Sequence, residues 1–290
     1  VRVSVWEPDV LTGAGAPDAA GASGALPLVL LSHGTGGSVA WLEWLAEALR
    51  RRGAIVVGVD HHGNTAVEAY LPEGFSMVWN RPLDLSFALD WALGEYHVDS
   101  ERVVAAGFSL GGYTVAALAG ARFNREVLTL VLTGAIPTPP LPEFPDLVDQ
   151  LLARYGVEGF REIVAAAPDS LRDARVRRIA MLAPAIGPLV DAGSLAEVSV
   201  PALVLWGEAD DIAEPATNAR VYAAGIPGAV GRSLGPVDHW VFLDELPGSG
   251  VELSAVDGDP GDAVASDDAS IRAGARDAVA DFLLGDETNP

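Results

Sequence analysis

The sequence has no cysteine. Disulfides, thiolate nucleophiles and cysteine-ligated zinc are therefore excluded, and either redox compartment suits the chain. It has no lysine either: all 18 basic residues are arginine, set against 40 acidic residues, for a formal charge of −22. That balance reads as an acidic, soluble surface and argues against nucleic acid or an anionic membrane as a partner. No apolar run reaches the length of a membrane span. The longest, around Leu28–Leu31 and Leu128–Leu132, have the size of a strand or a short helix. The start, Val1-Arg2-Val3-Ser4-Val5-Trp6, alternates like a strand, not like a charged segment before a long apolar one. No signal peptide is read, and a cytoplasmic location is expected. Metal signals are weak as well. His61 and His62 are adjacent, so in extended backbone their side chains point apart. Asp257-Gly258-Asp259-Pro260-Gly261-Asp262 lacks the glycine and glutamate positions of an EF-hand loop and reads as a solvated acidic loop. No metal and no cofactor are expected.

What is present is a large supply of core. Half of the 290 residues are apolar, which suits one domain spanning 1–290. Buried-strand runs at Leu26–Ser32, Ala54–Val59, Arg102–Gly107, Val176–Leu182 and Ala202–Trp206 alternate with helical patterns, as at Trp41–Leu49, Pro82–Tyr96 and Glu214–Ala224. Ser38 is placed to cap the first of these helices, and Gly53 to end it. Alternation of this kind implies an α/β fold: a mostly parallel central sheet with helices on both faces. From about Phe123 to Arg175 the pattern changes. A proline-dense connector, Pro137–Pro142, leads to two short helical stretches at Leu147–Tyr155 and Phe160–Ala167, and Leu128–Leu132 also leans towards helix. Residues 123–175 are read as a helical cap inserted over the sheet. Trp41, Trp44, Trp79 and Trp91 are assigned to the core. A last helix at Ser270–Leu284 is expected to pack back on the sheet.

The most informative stretch is Val103–Val115. A short apolar run ends in Gly107-Phe108-Ser109-Leu110-Gly111, and a second apolar run at helical spacing follows at once. Strand, sharp turn and helix, with serine at the apex, is the context of a nucleophile elbow. Gly107 and Gly111 are required because a Cβ at either would crowd the strand–helix crossing. A second match, Gly231-Arg232-Ser233-Leu234-Gly235, is followed by Pro236 and by no helical run. Ser233 is read as a turn or strand-end serine.

A nucleophilic serine needs a base, and the base needs an orienting acid. On a parallel α/β sheet they follow in the order Ser, acid, His. Of the five histidines (His33, His61, His62, His97, His239) only His239 lies after the elbow. The acid should end the strand Ala202–Trp206, where Glu208, Asp210 and Asp211 stand. Asp210 is preferred, because Gly-x-x-Asp lets the chain leave the strand before presenting the carboxylate; Asp211 is the rival. An oxyanion hole needs two N–H donors. Leu110 supplies one, and the loop His33-Gly34-Thr35-Gly36-Gly37 the other, with Thr35 the best placed. His33 is read as a loop brace. Phe108, Leu110, Trp240 and the apolar faces of the insertion suggest an apolar acyl pocket, with Arg81, Arg154 or Arg161 as possible cations at its mouth.

These stretches resemble an α/β-hydrolase of the dienelactone-hydrolase-like branch, related to platelet-activating-factor acetylhydrolases and cutinase-like polyester hydrolases. The resemblance rests on Leu31–Gly37, Val59–Thr65, Arg81-Pro82-Leu83-Asp84, Gly107–Gly112, Asp210-Asp211-Ile212-Ala213 and Asp238-His239, in that order. It implies a triad of Ser109, Asp210 and His239, with Thr35 and Leu110 N–H as the oxyanion hole. Dienelactone hydrolases themselves use cysteine where this chain has Ser109, and the chain starts where the second or third strand of the fold is expected. The function read from all of this is hydrolysis of neutral carboxylic esters with short or medium acyl chains through an acyl-enzyme. The partner is a small-molecule ester. The alternatives are a peptidase or thioesterase of the same fold, or a non-catalytic binding module.

Overall fold

The computed structural model describes residues 1–12, 24–243 and 264–285. The acidic stretch 257–262 lies outside the described residues. The chain opens with strand β1 (Arg2–Trp6) and a single turn, α1 (Asp9–Thr12), and then enters β2 (Leu26–Ser32). A 3₁₀ turn (Val39–Leu42) runs into α2 (Glu43–Arg51), and β3 (Ile55–Asp60) follows. Next come a short α3 (Pro72–Ser76), the long α4 (Asn80–Glu95), β4 (Val98–Phe108) and α5 (Leu110–Leu118). Then come α6 (Arg125–Leu132), α7 (Leu147–Ala165), β5 (Arg178–Leu182), a 3₁₀ turn (Gly187–Leu189) and α8 (Ala192–Leu195). The chain continues through β6 (Ala202–Trp206), α9 (Ala219–Gly225), β7 (Val230–Ser233), a 3₁₀ turn (His239–Phe242) and α10 (Val264–Leu284).

The seven strands form one sheet in the order β1-β3-β2-β4-β5-β6-β7. Only β1 runs antiparallel, against β3; every other pairing is parallel. Every residue of β2, β3 and β6 is buried. That is why these strands read as unbroken apolar runs: interior strands of a parallel sheet are covered on both faces. One core lies under α4, α5, α9 and the 123–175 region, and the other under α2, α10 and the 3₁₀ turn after β7. Strand β2 lies between β3 and β4, so the connections leaving its carboxyl end and that of β4 diverge. A crevice opens between them, and this is where ligands bind in such sheets.

Local signals explain most boundaries. Ser38 caps its turn by accepting from Ala40 N–H at 3.3 Å, and Gly53, at φ 85°, takes the left-handed step that stops α2. In the 123–175 region Asn124 caps α6, accepting from Val127 N–H at 3.0 Å. The two expected helices of this region are the two halves of α7. Gly156, at φ 64° and ψ 175°, breaks the helical path between them. Two expectations need correction. The helix placed at Glu214 begins only at Ala219: Pro215 and a hydrogen bond from Gly187 N–H to Asn218 Oδ1 (2.8 Å) keep the preceding stretch in turns. Trp91 is 39% exposed and belongs to no core, although Trp79 does. Among the described residues no helix is long and apolar enough to cross a membrane.

Candidate active site

Ser109 stands directly after β4 with φ 54° and ψ −119°, a left-handed conformation for a residue with a Cβ. Such strain costs on the order of 1–3 kcal/mol and persists only where surrounding structure holds it. Here the holding bonds come from β5 and the loop after it. Ser109 N–H donates to Leu182 O at 2.8 Å, while Ser109 O accepts from Gly112 N–H (2.8 Å) and Ala185 N–H (3.0 Å). The same loop carries two more strained residues, Ala183 and Ile186, both at positive φ. The glycines of the pentapeptide do what their positions require. A Cβ on Gly107 would run into the Gly111 carbonyl, and one on Gly111 into Ser32 O. Ser233, by contrast, ends edge strand β7, is exposed, and accepts from Gly235 N–H at 3.2 Å.

The two residues expected as acid and base meet. His239 Nδ1 is 2.7 Å from Asp210 Oδ2, and both side chains are buried. The other oxygen of Asp210 accepts from Ile212 N–H (3.0 Å) and Ala213 N–H (2.7 Å), which fixes the carboxylate's direction. Asp211 is exposed and takes no part. Asp238 accepts from Trp240 N–H at 2.9 Å and so caps the turn that carries His239. The Phe108 ring, one residue before the serine, lies 4.8 Å from the imidazole, and Trp240 meets its other side edge-on at 5.4 Å. With Nδ1 donating to Asp210, Nε2 is the free base.

The glycine-rich loop after β2 is braced from below by a buried polar network. His61 N–H donates to His33 Nε2 at 3.1 Å. That nitrogen is therefore bare, Nδ1 carries the proton, and it donates to Gly34 O at 2.7 Å. The accepting carbonyl belongs to the peptide whose N–H is that of Thr35. Gly36 N–H donates to Asn64 Oδ1 at 2.6 Å, and Asp60 Oδ1 accepts from Ser38 Oγ and Val39 N–H, both at 2.9 Å. Gly34 lies against the serine itself: a Cβ there would stand 3.2 Å from Ser109 Cβ. The loop and the elbow thus form one surface, with Thr35 on one side and Leu110 on the other.

Below the loop lies a second Ser–His–Asp chain. Ser32 Oγ is 2.9 Å from His61 Nε2, and His61 Nδ1 is 2.9 Å from Asp84 Oδ2. Ser32 is fully buried, so this chain braces and does not react. Arg81 completes it, donating to Ser32 Oγ (3.3 Å), Thr114 Oγ1 (3.1 Å) and, through Nη2, His33 O. Burial pulls the guanidinium down to about 9 and raises the Asp84 carboxyl to about 6. Burial, and then Arg81, hold His33 and His61 well below the ordinary histidine range. Both are neutral, and for His33 the bond its Nε2 accepts from His61 N–H requires it. Sequence reasoning weighed Arg81 as a cation at the pocket mouth and His61 and His62 as a weak metal signal; the structure instead uses Asp60, His61, Asn64, Arg81 and Asp84 to brace the loop. Among the described residues no cluster could hold a metal ion.

A cavity of about 620 Å³ opens onto Thr35 and Leu110. Its walls are α6, the proline-dense connector and the start of α7, with Ile186 from the strained loop after β5. Phe108 and Trp240 are not among them; they pack in the core on the other face of the sheet. Nor do the three arginines reach its mouth. Arg81 is buried, Arg154 pairs with Glu73, and Arg161 with Glu158. A protein-family model described as alpha/beta hydrolase fold matches residues 27–175, just over half of the chain. It covers the loop after β2 and the elbow but ends before Asp210 and His239. No curated protein matches the chain.

Proposed function

The chain belongs to the alpha/beta hydrolase fold family, and on that premise we propose that it is a serine hydrolase of carboxylic esters with apolar acyl groups. The observation that carries the reading is the pairing of Asp210 with His239 at 2.7 Å, with the imidazole 4.8 Å from the ring of Phe108, the residue before the strained, strand-end Ser109. Ser109 Oγ attacks the ester carbonyl, and His239 Nε2 takes its proton. Asp210 holds the imidazole in the tautomer that can do so and stabilises the imidazolium. The carbonyl oxygen, now negative, is received by the N–H groups of Thr35 and Leu110. His239 returns the proton to the leaving alcohol, and water repeats the sequence on the acyl-enzyme.

The acyl group lies in the 620 Å³ cavity, a volume usual for small-molecule sites. Its apolar lining favours medium or bulky acyl groups over charged ones. We take 123–175 as a cap on a single domain, because α6 and α7 form one wall of the cavity. The dienelactone-hydrolase-like resemblance supports the assignment of Thr35, since it rests on the loop that carries it.

A fluorophosphonate probe with p-nitrophenyl esters of graded chain length tests the reading. The probe should label Ser109, and Ser109→Ala should abolish labelling and lower turnover by about 10⁴ to 10⁶. Ser233→Ala should change little. Equal losses from both serines, or no labelling at all, overturn the triad; without labelling, the cavity belongs to a binding module.

A further inference from the structure

One carboxylate at the site has no role in that scheme. Glu143 sits in a tight turn closed by the Phe144 N–H to Leu141 O bond, at 3.1 Å. The two residues that close this turn, Leu141 and Phe144, line the cavity, and Phe144 is anchored edge-to-face on Phe75 at 5.1 Å. Glu143 itself is absent from the cavity wall. It reaches instead to the oxyanion loop: a Cβ added to Gly36 would stand 3.1 Å from Glu143 Cγ and 2.8 Å from the Tyr70 hydroxyl. Tyr70 is held there by donating to Gly36 O at 2.8 Å. Among the described residues no arginine pairs with Glu143; the nearest arginine on the adjoining helix, Arg154, is committed to Glu73.

We propose that Glu143 and Tyr70 form a cation-binding subsite for the alcohol portion of the substrate, so that the preferred esters join an apolar acyl group to an amino alcohol. The proposal rests on the esterase reading, and its logic is positional. The acyl chain occupies the cavity beside Thr35 and Leu110, so the alcohol must leave on the other side of the carbonyl, next to the imidazole that protonates it. Glu143 is outside the wall of that cavity, yet it packs on Gly36 of the loop whose Gly34 meets Ser109, which puts it on the alcohol side. Burial raises its carboxyl above the ordinary glutamate value, while its own backbone N–H and His239 pull it down. A half-buried anion without a cation is a site that a ligand ammonium would complete. The Tyr70 hydroxyl, held at the same glycine, gives the ammonium a second polar neighbour.

The experiment compares two isosteric alcohols on one acyl group, trimethylammonioethyl and 3,3-dimethylbutyl. We expect the full-length protein to favour the cationic ester in kcat/KM by roughly tenfold at low ionic strength. Glu143→Gln should bring that ratio close to one. Glu95→Gln, which removes the same charge from an exposed position at the far end of α4, should leave the ratio where it was. The ratio should also fall as pH drops through the raised range of Glu143. His239 acts on both esters, so its titration cancels. A ratio unmoved by Glu143→Gln, or moved equally by Glu95→Gln, assigns the preference to net charge and overturns the subsite. Equal loss on both esters makes Glu143 a partner of the imidazolium and overturns it too. Calorimetric binding of butyltrimethylammonium separates this proposal from the esterase reading. The cation should bind the wild type and not Glu143→Gln even if no ester is turned over, and absence of binding to the wild type rejects the subsite.

Discussion

Asp210 does two jobs with two oxygens. Oδ2 faces His239 and Oδ1 is tied to two backbone N–H groups. The division makes an amide substitution informative. In Asp210→Asn the amide oxygen can keep the backbone bonds, which forces the NH₂ group towards His239 Nδ1. The imidazole must then carry its proton on Nε2, where it cannot accept one from Ser109. Stability should therefore be nearly retained while turnover falls by about 10⁴. Asp211→Asn, on an exposed side chain, should leave both unchanged. Steady-state kinetics and a melting curve on the two variants check this. If Asp211→Asn proves the damaging one, the acid is misassigned. Sequence order and the strand end before them singled out Asp210 and His239. The sequence could not show that Asp210 would also hold the turn that follows it, since that depends on where Ile212 and Ala213 direct their N–H groups.

At the scale of elements, the tightest junction is where α5 leaves the elbow and passes the end of β2. A Cβ on Gly111 would meet Ser32 O and, at 2.8 Å, His33 O. Both are rigid backbone atoms, so the helix would have to withdraw from the oxyanion loop. Gly111→Ala should cost about 1–3 kcal/mol of stability and most of the activity. Gly94→Ala, in the last turn of α4 with nothing within 4 Å of the new Cβ, should stabilise by up to about 1 kcal/mol. Urea titration of the pair tests this, and a Gly111→Ala protein with native stability contradicts it. The elbow was legible because strand, glycine, serine, glycine and helix are contiguous. Apolar runs also revealed the parallel strands, since burial on both faces leaves no polar alternation. What supports the elbow from a distance was not legible. The loop Ala183–Ile186 holds Ser109 O and contributes Ile186 to the cavity, yet in sequence it is an unmarked Ala-Pro-Ala-Ile. Glu143 and Tyr70 lie 73 residues apart, and only the folding of the connector against the glycine loop brings them together. Trp240 was placed in the acyl pocket because it adjoins His239, but the turn that carries the two residues sends the indole to the opposite core.

For the molecule as a whole, the buried network beneath the oxyanion loop ties stability to pH. His33 and His61 are held neutral in the fold, while in the unfolded chain each takes a proton below about pH 6.5. A depressed folded value means that stability is present above the unfolded value and lost as pH falls through it. Asp84 acts in the opposite sense. Its folded value of about 6 exceeds the unfolded one, so between about pH 6 and 4 the folded state binds the extra proton. Two protons favouring the unfolded state are set against one on Asp84 and part of one on Glu143, whose carboxyl burial also raises, so the net is a loss of stability below about pH 6 of at most about 1.4 kcal/mol per pH unit. Urea unfolding should therefore show stability falling from pH 7 to 5.5. In the folded protein the His33 and His61 C2–H resonances should stay at their neutral positions across that range. Stability that is flat or rises on acidification, or either histidine titrating above pH 6 in the fold, contradicts the assignment. The same network links this loss to activity. A proton on His33 Nε2 removes the acceptor of His61 N–H, and the imidazole that pins Gly34 O is then no longer locked in place. Thr35 N–H would lose its aim at the oxyanion before the molecule unfolds. Acid inactivation should accordingly precede the unfolding transition, and ester hydrolysis should recover fully when the pH is restored from that interval.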